Sequence, residues 1–453
     1  MAVRAGDAGR VLDAEEVTAF VQDQLSAYAF DGRSVCVLVP DATRTCPLPL
    51  LMRAVHAALH GRVTKLTVLV ALGTHAPMGE EALARHLGYE PGRLAETYPG
   101  TIVSNHEWWD PATFADLGTI PAVRVAELSG GRMSVDVPVL LNRAVVEHDV
   151  ALVVGPVLPH EVVGMSGGNK YFFPGAGGKT IIDVSHWLGA LITSAEIIGT
   201  LALTPVRALI DDGAALIPAE KLALSVVTAE VADGEADSAV DDQVATPVVS
   251  SGLHSVSFGD TRSSWASAAE VCAATHVTYL DRPVPRVLSI VPAMYDEIWT
   301  AAKGFYKVEP VVADGGEVIL YAPHVTELSS THPEIYDIGY HCRDYFVAQW
   351  DRFAAVPWGV LAHSTHLRGA GTYDPATGEE RLRVRVTLAT GIPEEVCRAA
   401  NLGYRDPASV DLSAYAREPG TLVVPRAGEM LFRLRDPVTS PASAAARRAS
   451  AST

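Results

Sequence analysis

The segment Pro159–His186 reads PHEVVGMSGGNKYFFPGAGGKTIIDVSH and gathers two histidines, two lysines and six glycines. Imidazole exchanges protons near neutral pH and ligates nickel, zinc or copper. Lys170 stands between glycines and beside bulky aromatics, a setting in which an amine can lose solvation and become nucleophilic. Its plainer reading is a solvated loop lysine. The GKT at Gly178–Thr180 suggests a phosphate loop, but that motif needs a glycine five residues before its GK glycine, where Phe173 stands. No strand pattern directly precedes it, so a P-loop is rejected. The glycines still allow close backbone approach by an anion or a planar cofactor.

Other polar groups are spaced in the same manner. DATRT supplies Asp41, Thr43 and Arg44, and GTH supplies Thr74 and His75. Arg44 offers a two-pronged donor for a carboxylate, or simply a turn salt bridge with Asp41. Any one of His75, His160 and His186 taken alone is more often a partnered structural residue than a catalyst or ligand.

The elements that must position these groups are legible. SVCVLVP (Ser34–Pro40), KLTVLVALG (Lys65–Gly73) and HDVALVVGPV (His148–Val157) are near-continuous apolar runs, alternating with helical patterns such as Leu51–Leu59. Such runs predict a parallel sheet covered on both faces. Asp41, Arg44, His75 and His160 then all follow the carboxyl ends of strands, where open α/β sheets bind ligands. That convergence is the strongest signal in the chain.

At 453 residues two domains are expected. The fold class read here is α/β, with parallel or mixed sheets flanked by helices. A second, smaller α/β pattern contains RVLSIV (Arg286–Val291), a helix around Ile298–Val312 and EVILYAP (Glu317–Pro323). The bounds drawn are 1–270, 271–436 and a disordered low-complexity tail, 437–453. The acidic, alanine-rich region Ala229–Asp260 reads as an exposed loop or hinge-proximal segment. GYHCRDYF (Gly339–Phe346) and HSTHLRG (His363–Gly369) either shape a pocket or form a polar core. His363 and His366 have a helical metal-pair spacing, but the flanking sequence reads as a strand end or loop. His106 and Trp108, in SNHEWWD, follow another strand and are expected to border the cleft.

With 35 basic and 53 acidic side chains the net charge is −18, which argues against nucleic acid or an anionic membrane as partner. Five scattered cysteines without CxxC spacing favour neither a disulfide framework nor a cysteine-built zinc site. MAVRAGDAGR has no signal-peptide core, and no apolar run spans a bilayer. A soluble, cytoplasmic protein is expected.

The ordered set DATR, GTH, PH-x5-SGG-x-K, PG at Pro174–Gly175, His186 sixteen residues after Lys170, then WTAAKG (Trp299–Gly304) and DGGEVIL resembles the nickel-dependent lactate racemase family. The resemblance covers most of the chain. It implies an inter-domain cleft, with the N-terminal domain binding a nickel-pincer nucleotide, a pyridinium mononucleotide with two sulfur-containing arms. It implies that Lys170 tethers the cofactor and that His186 ligates Ni(II). It makes His75 and His160 the two acid/base residues. Arg44 and Lys303 would hold the substrate carboxylate beside Trp299 and Thr300, and Asp41, Thr43, Gly167 and Gly168 would contact the cofactor. The implied activity is racemisation or epimerisation of a 2-hydroxy acid through a 2-oxo intermediate, with cofactor-making enzymes as transient partners.

The sequence departs from the family at Thr45, where a proline is usual, and at Trp299-Thr300, where an aromatic-glutamine pair is usual. Together with Trp108, Tyr340, His341 and Arg343 as candidate pocket groups, this points to a 2-hydroxy acid larger or more polar than lactate. Two alternatives are a 2-hydroxy acid dehydrogenase, for which no G-x-G-x-x-G follows a strand, and a non-catalytic carboxylate- or nickel-binding homologue. Binding alone needs neither His75 nor His160 as a base.

Overall fold

The computed structural model describes residues 1–229, 252–428 and 430–435. Along the first half run β1 (Val3–Gly6), α1 (Ala14–Ala27), β2 (Ser34–Val39), α2 (Leu48–Leu59), β3 (Lys65–Val70), α3 (Glu80–Leu87), β4 (Thr101–Asn105), β5 (Val150–Pro156), α4 (Lys179–Ile192), α5 (Pro205–Ala215), β6 (Glu220–Thr228), β7 (Leu253–Asp260) and α6 (Thr261–Thr275). The second half contributes β8 (Val277–Leu280), β9 (Val284–Ile290), β10 (Val312–Ala322), α7 (Trp358–Arg368), β11 (Arg385–Thr390), β12 (Gly403–Tyr404), β13 (Thr421–Val424) and β14 (Leu431–Leu434). Shorter turns and two-stranded ribbons connect them.

Local chemistry sets several boundaries. Asp13 caps α1 in a reciprocal box, accepting from Glu16 N–H at 2.9 Å while Glu16 accepts from Asp13 N–H at 3.1 Å. Thr204 caps α5 ahead of Pro205, whose missing N–H costs nothing in a first turn.

The first sheet has the order β1-β7-β6-β5-β2-β3-β4. From β6 to β4 it is parallel, and β7 and β1 join antiparallel. Leu38 pairs with Leu69 on one side and Val153 on the other. Successive side chains alternate between two apolar layers: Cys36 and Leu38 face one that includes Phe172, Phe173 and Trp187, whereas Val35, Val37 and Val39 face α1 and α2. Both faces are covered, which explains why these strands read as unbroken Val/Leu runs. The strand order reverses between β5 and β2, so a crevice opens outside their carboxyl ends.

The second sheet, β12-β11-β10-β9-β13, is wholly parallel among the described residues. Its own layer contains Val287, Phe305, Val318 and Leu388. β8 pairs with β14, Val277 opposite Leu431. Two sheets flanked by helices make the expected α/β, two-domain fold.

Two expectations require correction. Residues 253–260, within the acidic stretch expected as an exposed loop or hinge-proximal segment, form β7 and are largely buried. The strand is serine-rich, and its polar groups are met inside: Ser264 Oγ donates to Ser257 O and meets the Ser225 hydroxyl, both at 2.9 Å. Small serines let α6 lie close, so the strand carries little hydrophobic signal. The expected helical segment around Ile298–Val312 is helical but broken, into the turns Ile298–Ala301, Lys303–Tyr306 and Glu309–Val311. Residues 230–251 and the expected tail lie outside the described residues. No described helix is long and apolar enough to cross a membrane.

Candidate active site

Beyond Val39 the chain turns across the carboxyl end of β2. The buried Asp41 accepts there from the Thr43 hydroxyl at 2.6 Å and the Thr43 N–H at 3.1 Å through one oxygen. Its other oxygen meets Nδ1 of His75, from the loop after β3. Burial by itself would raise the Asp41 pKa. The charge and hydrogen bond of His75, helped by Arg44 and Thr43, outweigh burial and hold the carboxyl far below its usual range. A carboxylate on Nδ1 makes that nitrogen the donor and leaves the lone pair of a neutral imidazole on Nε2. The His75 backbone is fixed as well: its N–H donates to Leu72 O, and its carbonyl accepts from Trp108 Nε1–H, each at 3.0 Å.

The loop after β5 brings His160, which is buried, with Nδ1 3.1 Å from the Val162 N–H and 3.3 Å from a Glu161 carboxylate oxygen. Burial first, then the charges of Lys170 and Arg44, push its pKa well down. Lys170 rides a 3-10 turn, Gly168–Tyr171. Burial, with repulsion from Arg44 and Arg207 against attraction from Glu161 and Asp41, brings its amine down to about 8. A usable fraction is then neutral near physiological pH, as nucleophilic attachment requires.

His186 lies mid-way along α4. Its Nδ1–H donates to Ile182 O at 2.7 Å, one turn back, which leaves Nε2 unprotonated. Burial and Lys170 lower its pKa and favour the neutral imidazole that binds metals.

The second sheet closes the site from the far side. Lys303 Nζ stands 4.4 Å from the centre of the Tyr295 ring, and burial followed by Arg44 pushes its amine down to about 7. Trp299 is stacked between His332 and His363, with ring centres 4.0 and 3.9 Å away. α4 and α7 pack together, joined by the Gly359 N–H donating to Asp183 at 2.9 Å, and Ser194, just past α4, hydrogen-bonds Nδ1 of His366. Asp41, Arg44, His75, His160, Lys170 and His186 thereby share one cavity of about 370 Å³ with Trp299, Thr300 and Lys303.

Residues 15–198 match the model of the lactate racemase N-terminal domain. The chain carries the lactate racemase N-terminal domain. Among solved structures, a Thermotoga maritima protein is 30% identical over 94% of this chain and 99% of that one, with a TM-score of 0.81. The lactate racemase apoprotein of Thermoanaerobacterium thermosaccharolyticum matches at 16% identity over 93% of each chain, with a TM-score of 0.66, a likeness of fold. No curated protein matches the sequence.

Around this lactate racemase N-terminal domain several sequence expectations shift. Thr43 does not reach the main cavity; its hydroxyl is held by Asp41 and by Arg44, whose guanidinium donates to it at 3.1 Å. Gly167 lines the cavity but Gly168 does not. Gly168 has φ +60°, and a Cβ there would stand 3.0 Å from Trp265 Cβ. A Cβ at Gly175 would fall 2.5 Å from Tyr171 O, so these glycines answer to the loop's own packing rather than to clearance for a ligand.

His106 is fully buried away from the cleft, with Nε2 on Gly177 O at 3.2 Å and Nδ1 facing the Asn142 amide at 3.1 Å. Tyr340, His341 and Arg343 are also absent from the cavity wall. His341 faces Glu380 at 3.2 Å, and Arg343 pairs with Asp344. His363 and His366 sit on α7, not on a strand end, and both line the cavity. The helix was missed because its sequence, WGVLAHSTHLR, shows no single apolar face; it is buried on nearly all sides.

Sequence reasoning passed over Glu161, Tyr306 and His332, all on the cavity. Glu161 adjoins His160 and Tyr306 lies one turn beyond Lys303, so proximity to a suspected residue was the available signal. Nothing local marks His332. Among the described residues no three His, Cys, Asp or Glu side chains form a metal-binding group. Nickel held by His186 would need its remaining ligands from a cofactor.

Proposed function

We propose that the protein racemises or epimerises a 2-hydroxy acid other than lactate, using a nickel-pincer nucleotide. The lactate racemase N-terminal domain supports racemase-type chemistry. The observation that carries the finer reading is the sharing of one cavity by two imidazoles, His75 and His160, with a depressed lysine and a neutral, metal-competent histidine. Lys170 would hold the cofactor covalently and His186 would ligate its nickel. When bound, that cofactor supplies the acceptor and donor of hydride.

The protein's own part is placement and proton handling. Arg44 and Lys303 clamp the substrate carboxylate, and Trp299 and Thr300 bound its remainder. His75 Nε2, oriented by Asp41, takes the hydroxyl proton from one enantiomer, and His160 serves the other. A planar 2-oxo species between two such groups regains hydrogen on either face, which is why two proton carriers are needed.

The test is to co-express the chain with cofactor-making enzymes, measure intact mass and nickel, and supply chiral 2-hydroxy acids. An adduct at Lys170, about one nickel per chain and racemisation lost in both His75→Ala and His160→Ala are expected. A fully matured protein lacking adduct and nickel would overturn the cofactor reading. An unaffected rate in either variant would remove that histidine from the reaction.

A further inference from the structure

α7 starts without a cap of its own. Pro357 precedes it, and a proline side chain cannot accept the amide hydrogens that a first helical turn leaves unpaired. One of those amides is met from the other half of the molecule. Gly359 N–H donates to Oδ1 of Asp183, which belongs to α4, at 2.9 Å. A carboxylate in that place also meets the positive end of the helix dipole. The second oxygen of Asp183 takes Lys179 Nζ at 2.6 Å, one turn back on α4, which fixes the aim of the carboxylate. A Cβ at Gly359 would stand 3.2 Å from Asp183 Oδ1, so the glycine gives that oxygen its approach.

The contact sits where the two halves meet at the site. Asp183 lies one turn before His186 on α4, Gly359 lies one turn before His363 on α7, and all four line the cavity. Off the cavity the same seam is apolar: Trp187 of α4 stacks on Trp350, which packs on Trp358. Ring packing tolerates sliding, whereas a hydrogen bond weakens steeply off its axis. The Ser194–His366 bond, at the far end of the seam, holds a rotatable ring. Asp183 holds the backbone of α7 itself.

We infer that Asp183 is the positioning residue of the cavity's far wall. By capping α7 across the two halves it sets where His363, and Trp299 stacked on it, stand relative to His186. The turn bearing Lys303 also packs on α7, so one side of the carboxylate clamp is placed by the same bond.

The purpose of this wall rests on the proposed function; the contact can be tested without it. In the apoprotein, amide exchange followed by NMR is expected to show Gly359 N–H protected. Asp183→Ala should speed its exchange about tenfold or more, while the amides of β2 and β5 keep their protection, which verifies that the variant has folded. Asp183→Asn keeps an oxygen for the Gly359 N–H and loses the ion pair with Lys179, and it should exchange near the wild-type rate. In the matured enzyme Asp183→Ala should raise KM about tenfold with kcat within about threefold, and Asp183→Asn should restore KM. Unchanged Gly359 exchange in Asp183→Ala, an Asn variant that behaves like Ala, or a loss confined to kcat overturns the inference. Failure of the matured wild type to racemise any 2-hydroxy acid counts against the proposed function instead.

Discussion

Asp41 shows how one side chain can answer to several neighbours at once. Its carboxylate takes both donors of Thr43 on one oxygen and His75 on the other. Asp41→Asn keeps the shape but offers an amide that can present a donor to Nδ1, which turns the His75 proton toward Nε2. A fall in kcat of about 10²- to 10⁴-fold with the fold intact is expected, read by steady-state kinetics and circular dichroism. Lys170 makes a separate prediction without substrate. Its labelling by an amine-directed reagent, followed by peptide mass spectrometry, should rise with pH around a midpoint of about 8, well below the roughly 10.4 of an ordinary lysine. The reactive residue types and their strand-end positions were legible in the sequence. The partner of each histidine was not, because the Asp41–His75 contact joins loops 34 residues apart, and nothing in linear order distinguishes it from the local pair Asp41–Arg44.

At the scale of elements, the loop from β5 to α4 behaves as part of the core. Phe172 and Phe173 are fully buried between the first sheet and α4, so the turn bearing Lys170 is anchored by aromatic packing. Phe173→Ala should destabilise the protein by about 3–5 kcal/mol, measured by denaturant unfolding. It should also lower nickel retention of matured protein, because the anchor of Lys170 loosens. Strands buried on both faces announced themselves as Val/Leu runs. β7 and α7 did not, for opposite reasons: one fills its buried positions with serines satisfied by α6, and the other is buried all round and shows no amphipathic period.

Across the whole molecule, an acidic body of net charge −18 encloses a cavity furnished with Arg44, Lys170 and Lys303. A carboxylate ligand gripped by Arg44 from one sheet and Lys303 from the other links the stability of both. A substrate at about 100 times its Kd should raise the unfolding free energy of matured protein by about 2.7 kcal/mol, with both halves melting in one transition by calorimetry. Either Arg44→Met or Lys303→Met should erase most of that shift at the same ligand concentration. The two-domain α/β plan was readable from length and alternating patterns, but which residues of the second half reach the cavity depended on the packing of α4 against α7, which no local pattern encodes.

The pairing of β8 with β14 closes the second half on itself. The chain leaves the first half at Val277 and returns alongside that point at Leu431. The wall carrying Trp299, Thr300, Lys303 and His332 is therefore bracketed by that two-stranded ribbon and clamped to the first half by the packing of α7 on α4. Any replacement for that wall must keep the α7 face that packs on α4, the helix bearing His186.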